Sequence, residues 1–100
     1  MPVASKRPNG TRIIISRTDS IGDVVLTLPL AGIIKENFPE WHIIFLGRNY
    51  TREIVSLSEH VDEFVNWDDH EAVKQLKADI IVHVFPVKEI AQWAKKHGIT

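Results

Sequence analysis

The chain has 100 residues, enough for one small domain with a modest core. Its formal net charge is -1, so no overall positive charge attracts nucleic acid, and we expect no nucleic-acid partner. Cysteine is absent, which excludes disulfides, thiolate catalysis and cysteine-based zinc sites.

Residues 1–11 are polar and contain two prolines, and we predict a disordered lead-in there. They lack the apolar segment of a signal peptide. No run elsewhere in the chain approaches the roughly 20 apolar residues of a membrane-spanning helix. Together with the missing cysteine, this composition favours a cytoplasmic location.

Residues 12–100 alternate between apolar strands and helices. The predicted strands cover 12–16, 42–46, 63–66 and 79–84, and the predicted helices run from about 20 to 37, 49 to 57, 70 to 76 and 87 to 97. The first helix is apolar nearly all round, which predicts that it is well buried. Pro29 lies inside it and should kink the helix or shift its start.

This alternation predicts a parallel sheet with right-handed crossovers. We expect an α/β, Rossmann-like, three-layer αβα domain with four strands in the order 3-2-1-4. A crevice would open between strands one and four, where the loop 17–23 faces the loop 83–86. Such domains usually approach ~150 residues, so we expect 12–100 to be a single truncated domain. Its exposed sheet edge could form a homo-oligomer.

Common cofactor and metal motifs are absent. The chain has no G-x-x-x-x-G-K-[ST] loop, and only Gly22 stands where a dinucleotide fingerprint needs three glycines. H-E-x-x-H is also missing, and no histidine pair has ligand spacing on one helix. We therefore expect no cofactor and no metal.

Asp23 lies at the end of the loop that follows the first strand, in Ser20-Ile21-Gly22-Asp23-Val24. A carboxylate in a first helical turn stabilises the helix dipole by roughly 0.3–1 kcal/mol and needs no other role. The same position lies at the carboxyl edge of the sheet, where ligands bind and a carboxylate can reach a bound hydroxyl. The residues by themselves leave both roles open.

Three arginines follow the first two strands. Arg17, Arg48 and Arg52 could form an anion site, since guanidinium suits phosphate and carboxylate. The alternative is a solvated rim with no ligand.

Between residues 12 and 46 the chain has a strand, Ser20-x-Gly22-Asp23-Val24, Pro29 within the helix, and Phe38-Pro39 before the second strand. This succession resembles the amino-terminal part of the ADP-heptose:lipopolysaccharide heptosyltransferases, glycosyltransferase family 9. The resemblance runs to about Thr100 and is strongest up to Leu46.

The resemblance implies a GT-B architecture, in which two Rossmann-like domains face a cleft and this chain is the acceptor-side part. It implies an inverting, metal-independent transfer of heptose or a related sugar from an ADP-heptose-type donor to the lipopolysaccharide inner core. The donor would bind to a second domain, so this piece alone should be inactive. Peripheral association with the inner face of the cytoplasmic membrane would fit such an acceptor.

The resemblance also implies roles for particular residues. Asp23 would be the general base that deprotonates the acceptor hydroxyl. Ser20 and Gly22 would shape the loop, and Arg17 and Arg48 would bind a phosphorylated acceptor. The chain departs from several relatives after the fourth strand, where residues 83–86 are His-Val-Phe-Pro rather than containing an acid.

Two alternative hypotheses for the function stay open. A stand-alone flavodoxin-like α/β module could bind a phosphorylated ligand or a protein partner without catalysis, with Asp23 only starting a helix. A receiver-type signalling domain could place Asp19 in an acidic pocket. That domain needs an aspartate at the end of the third strand, which Asn66-Trp67-Asp68 supplies only poorly.

Overall fold

Strands and helices alternate along the computed structural model, which describes residues 10–100. The strands are β1 (Arg12–Ser16), β2 (His42–Gly47), β3 (Glu63–Asn66) and β4 (Ile80–His83). The helices are α1 (Ile21–Asn37), α2 (Arg52–Ser56, after a 3-10 turn at Asn49–Thr51), α3 (His70–Gln75) and α4 (Lys88–Lys96).

The four strands form a parallel sheet in the order β3-β2-β1-β4, which confirms the predicted α/β fold and strand order. β1 is central: Ile15 pairs with Phe45 of β2 on one side and with Val82 of β4 on the other. Its continuous β-branched run is typical of a strand that is covered on both faces.

Two apolar layers cover the sheet because successive strand residues point to opposite faces. Ile13 and Ile15 pack with Val24 of α1 and with α2, whereas Ile14 packs with α3 and with Ile90 of α4. The chain therefore leaves β1 toward one face and β4 toward the other. This reversal marks a topological switch point, and it puts the candidate crevice at the carboxyl ends of β1 and β4.

α1 is less buried than its sequence predicts. Its buried residues are Val24, Thr27 and Ala31, whereas Val25, Leu26, Pro29 and Ile33 are exposed. The prediction of a well-buried helix is wrong for residues 10–100, because α1 contacts the sheet through one side only. The helix begins directly after Ser20 and runs unbroken past Pro29 to Asn37. No helix in this part of the chain has the length and apolar character to cross a membrane.

Both ends of the described chain hydrogen-bond to the sheet. Residues 1–9 of the predicted disordered lead-in, 1–11, lie outside the described residues. Thr11 is buried, and its carbonyl accepts a hydrogen bond from His42 N at 2.8 Å. At the other end, Thr100 N donates to Asp79 O at 3.1 Å, and Thr100 O accepts from Ile81 N at 3.3 Å. Thr100 thus pairs along the outer edge of β4.

Candidate active site

The site is built on the first residues of α1. Ser20 is the N-cap, with an extended backbone (φ -72°, ψ 156°) that lets its hydroxyl turn back over the helix end. Its Oγ accepts a hydrogen bond from Asp23 N at 3.4 Å and lies 2.8 Å from Asp23 Oδ2, to which it donates. The helix cap and the carboxylate are therefore one unit, so capping and chemistry are compatible at Asp23.

Arg17 links this unit to the end of β1. Its guanidinium contacts Asp19 through two nitrogen–oxygen pairs at 3.0 Å, and Nη2 lies 3.5 Å from Asp23 Oδ1. The side chains of Arg17 and Asp19 are 18% and 17% exposed, whereas that of Asp23 is 46% exposed. Asp23 is thus the member of this cluster that solvent or a ligand can reach.

The pKa of Asp23 is lowered from its ordinary value of 3.8. The hydrogen bond from the Ser20 hydroxyl is the largest cause. Desolvation comes next and raises the pKa, and smaller contributions from Asp19 and from the Arg17 guanidinium lower it. Asp23 is therefore ionised at neutral pH. A carboxylate has about four acceptor positions, so the bonds from Ser20 and Arg17 leave capacity for a substrate hydroxyl.

The loop after β4 closes the other side of the crevice. Ser16 O accepts hydrogen bonds from Val84 N at 3.1 Å and Phe85 N at 3.2 Å, and the Phe85 ring centre lies 6.0 Å from the guanidinium carbon of Arg17. The predicted facing of the loops 17–23 and 83–86 is confirmed by these contacts. Ser16 Oγ and His83 Nδ1, on paired residues, are buried without a hydrogen-bond partner among residues 10–100.

Gly22 is the second residue of α1 and is exposed. A Cβ at Gly22 would meet no heavy atom within 4 Å, so packing within the described chain does not require glycine there. Gly22 directly precedes Asp23, so there is open space at the position next to the carboxylate residue.

The three arginines of the candidate anion site contact three different groups and do not converge on one another. Arg17 belongs to the Asp23 cluster, whereas Arg48 Nη1 lies 2.7 Å from Asp68 Oδ1. Arg52 is 4.8 Å from the ring centre of Phe64. Within residues 10–100 no group of three or more histidine, aspartate or glutamate side chains is arranged to hold a metal ion.

Sequence reasoning missed the contribution of Asp19 and Tyr50. The sequence suggests Asp19 only for the acidic pocket of a receiver-type domain, yet it holds Arg17 in place beside Asp23. Tyr50 was not singled out from the sequence; its ring is exposed and its hydroxyl donates to Asp19 O. The spacing of Arg17, Asp19 and Asp23 around the strand end is a signal that could have indicated an ion-pair cluster.

No protein-family model matches the chain, and no curated protein matches it. Among solved structures, the chain is similar to a glycosyl transferase family 9 protein from Veillonella parvula DSM 2008, with a TM-score of 0.73 and 20% sequence identity. The match covers 89% of this chain and 30% of that protein. The likeness shows a shared fold, and the chain spans less than a third of the other protein's length.

Proposed function

We propose that the chain is the acceptor-side part of a glycosyltransferase similar to family 9, with Asp23 as the general base. The observation that carries this proposal is an ionised, half-exposed carboxylate held at the switch point of the sheet by Ser20 and Arg17. The fold shared with a protein described as glycosyl transferase family 9 supports it.

The proposed reaction is an inverting substitution at a sugar carbon. The acceptor hydroxyl oxygen forms a bond to the anomeric carbon, the bond from that carbon to the diphosphate breaks, and the diphosphate leaves with the bonding electrons. The hydroxyl proton passes to Asp23. Each step involves only the two substrates and this carboxylate, so no metal or cofactor is invoked.

The finer specificity rests on the sequence resemblance. We propose heptose or a related sugar, an ADP-sugar donor bound by a second domain, and a lipopolysaccharide core as the acceptor. A protein acting on such an acceptor would work at the cytoplasmic side of the membrane. This chain alone would be inactive, because the transition-state contacts to the departing diphosphate would come from the other domain.

The neighbouring residues then have distinct roles. Ser20 and Arg17 hold Asp23 ionised and oriented, and Gly22 leaves room for the acceptor. Arg48, on the loop after β2, pairs with Asp68, on the loop after β3, and would contact a part of the acceptor more distant from Asp23. A lowered pKa makes Asp23 a weak base, so exclusion of water when the cleft closes would have to strengthen it.

A non-catalytic module that binds a phosphorylated ligand has less support. Arg17, the basic group nearest the helix start, is already shared between Asp19 and Asp23. The three side chains together carry a net charge of about -1, which disfavours a phosphate at that place.

The experiment is a transfer assay on a longer protein that contains this sequence and a second domain. Asp23→Asn should abolish transfer while leaving binding of the ADP-sugar nearly unchanged, because the amide cannot accept the proton. Asp69→Asn is the matched control, since Asp69 also caps a helix, through its contact with Ala72 N, but lies outside the Asp23 cluster. Full turnover by Asp23→Asn would return Asp23 to a purely structural role.

A further inference from the structure

A groove of about 520 Å³ lies between α3 and α4, away from Asp23. Residues of the loops that follow β2 and β3 line one part of it, and residues of the two helices line the rest. The residues that matter for its chemistry are Arg48, Trp67, Asp68, His70, Glu89 and Trp93. Its volume is within the range of about 300–1,000 Å³ that small-molecule sites occupy.

Two tryptophans form the apolar part of the groove. The rings of Trp67 and Trp93 lie 5.8 Å apart between centres, with an angle of 72° between their planes. Both are only partly buried against the core, so they offer ring surface to the groove. Two nearly perpendicular aromatic walls make a corner that suits a flat, rigid ligand with an apolar face.

The polar groups of the groove are balanced in charge. Arg48 and Asp68 form an ion pair at 2.7 Å, and the lining also contains one further base, Lys74, and one further acid, Glu89. With the histidines neutral, the charges cancel. Such a lining disfavours a strongly anionic or cationic ligand and offers both donors and acceptors to hydroxyl groups.

We infer that this groove binds a neutral saccharide. One face of a pyranose ring is made of C–H bonds with slight positive charge, which the negative face of an aromatic ring attracts. Its hydroxyls would bond to Glu89, Asp68 and the free N–H groups of Arg48. The inference goes beyond the proposed function, because Asp23 does not line this groove and binding there stands whether or not Asp23 is a base, even though Arg48 also belongs to the proposed acceptor contacts.

The test uses the indole N–H signals of the chain's three tryptophans in proton–nitrogen NMR spectra. The chain is titrated with maltotriose, mannotriose and galactotriose, each up to tens of millimolar. The signals of Trp67 and Trp93 should move with at least one of these sugars. Trp41 is an internal control, because it stacks on Phe38 at 4.1 Å and does not line the groove.

Two matched variants connect the shifts to the groove. Glu89→Ala should weaken binding about tenfold, as expected for loss of a charged hydrogen-bond acceptor. Glu71→Ala should leave binding unchanged, since Glu71 holds the same first-turn position on α3 but does not line the groove. Asp23→Asn should also bind normally, which separates this test from the test of catalysis.

Several results would overturn the inference. They are an absence of shifts with all three sugars, equal shifts of Trp41, and equal weakening by the two glutamate variants. A response to a phosphorylated sugar or a tryptophan-containing peptide, with none to the neutral sugars, would also refute it.

Discussion

The hydroxyl of Ser20 has two separable effects, and replacing it tests both. Ser20→Ala removes the acceptor for Asp23 N and the donor to Asp23 Oδ2. Loss of a serine N-cap costs about 0.5–2 kcal/mol, and because this cap bond is long at 3.4 Å we expect the lower part, about 0.5–1 kcal/mol. For a domain of this size the melting temperature should then fall by roughly 2–8 °C.

The same substitution should raise the pKa of Asp23 toward 3.8, since the Ser20 hydroxyl is the main cause of the lowered pKa. Chemical denaturation measures the first effect, and a pH titration of the Asp23 side-chain signals by NMR measures the second. Ser20→Gly is the control: glycine is tolerated at an N-cap, so it should change stability by only a few tenths of a kcal/mol yet raise the pKa equally. An unchanged pKa in both variants would refute the assigned hydrogen bond.

Two further predictions concern stability. The Asp62 carboxylate accepts a hydrogen bond from Ile43 N and lies against Lys35 Nζ, each at 2.8 Å. Burial raises the pKa of Asp62, but these two contacts outweigh the effect of burial, and the pKa is lowered overall. Asp62→Asn should therefore cost about 1–2 kcal/mol at neutral pH, and the deficit should shrink as the pH falls through the lowered pKa of Asp62. Glu59→Gln, at an exposed position nearby, is the control and should have little effect in the same denaturation series. A loss of stability in Asp62→Asn that does not depend on pH would contradict the lowered pKa of Asp62. Val24→Ala, at a fully buried position of α1, should lower the free energy of unfolding by about 2 kcal/mol. Leu26→Ala, at a 78% exposed position, should change it by no more than about 0.5 kcal/mol. Similar losses of stability in the two variants would mean that the outer face of α1 is covered.

The topology could be predicted because it depends on patterns that act over a few residues. The run Ile13-Ile14-Ile15 indicates a strand buried on both faces, and β-α alternation leaves few ways to connect parallel strands. Ser20 and Gly98 mark helix ends through local chemistry alone: one caps α1, and the other takes φ +72° after α4. Such signals do not require knowledge of the tertiary structure.

Burial of α1 could not be predicted in the same way. A helix that is apolar all round is expected to be enclosed, but the degree of enclosure depends on what packs against its outer side. In residues 10–100, Leu26 and Ile33 have no covering element and stay exposed. The pattern correctly indicated the inner side, whereas the outer side depends on contacts that sequence periodicity does not encode.

The sequence predicts which edge of the sheet holds the site residues, but it does not predict which side chains contact one another there. Asp23 was expected at the crevice, and its bond with Ser20 is local capping chemistry, yet the direction of the Arg17 side chain, which lies between Asp19 and the Phe85 ring, does not follow from the sequence pattern. Arg48 illustrates the limit, because its place after β2 suggested the Asp23 cluster while its side chain turns to Asp68 after β3. Residue spacing places a side chain at an edge of the sheet, but it does not select among the partners available there.

The arrangement around Asp23 has a consequence for any catalytic role. The contacts that keep the carboxylate ionised, from Ser20 and Arg17, also withdraw its basicity. Arg17 makes one hydrogen bond and one further nitrogen–oxygen contact to Asp19, both at 3.0 Å, but lies 3.5 Å from Asp23, so its contact with Asp23 is the weaker one. Loss of the Arg17 contact would therefore raise the pKa of Asp23 less than loss of the Ser20 hydrogen bond, which is the largest cause of the lowered pKa, so a substrate hydroxyl that replaced Ser20 as a partner would do most to restore the basicity of Asp23.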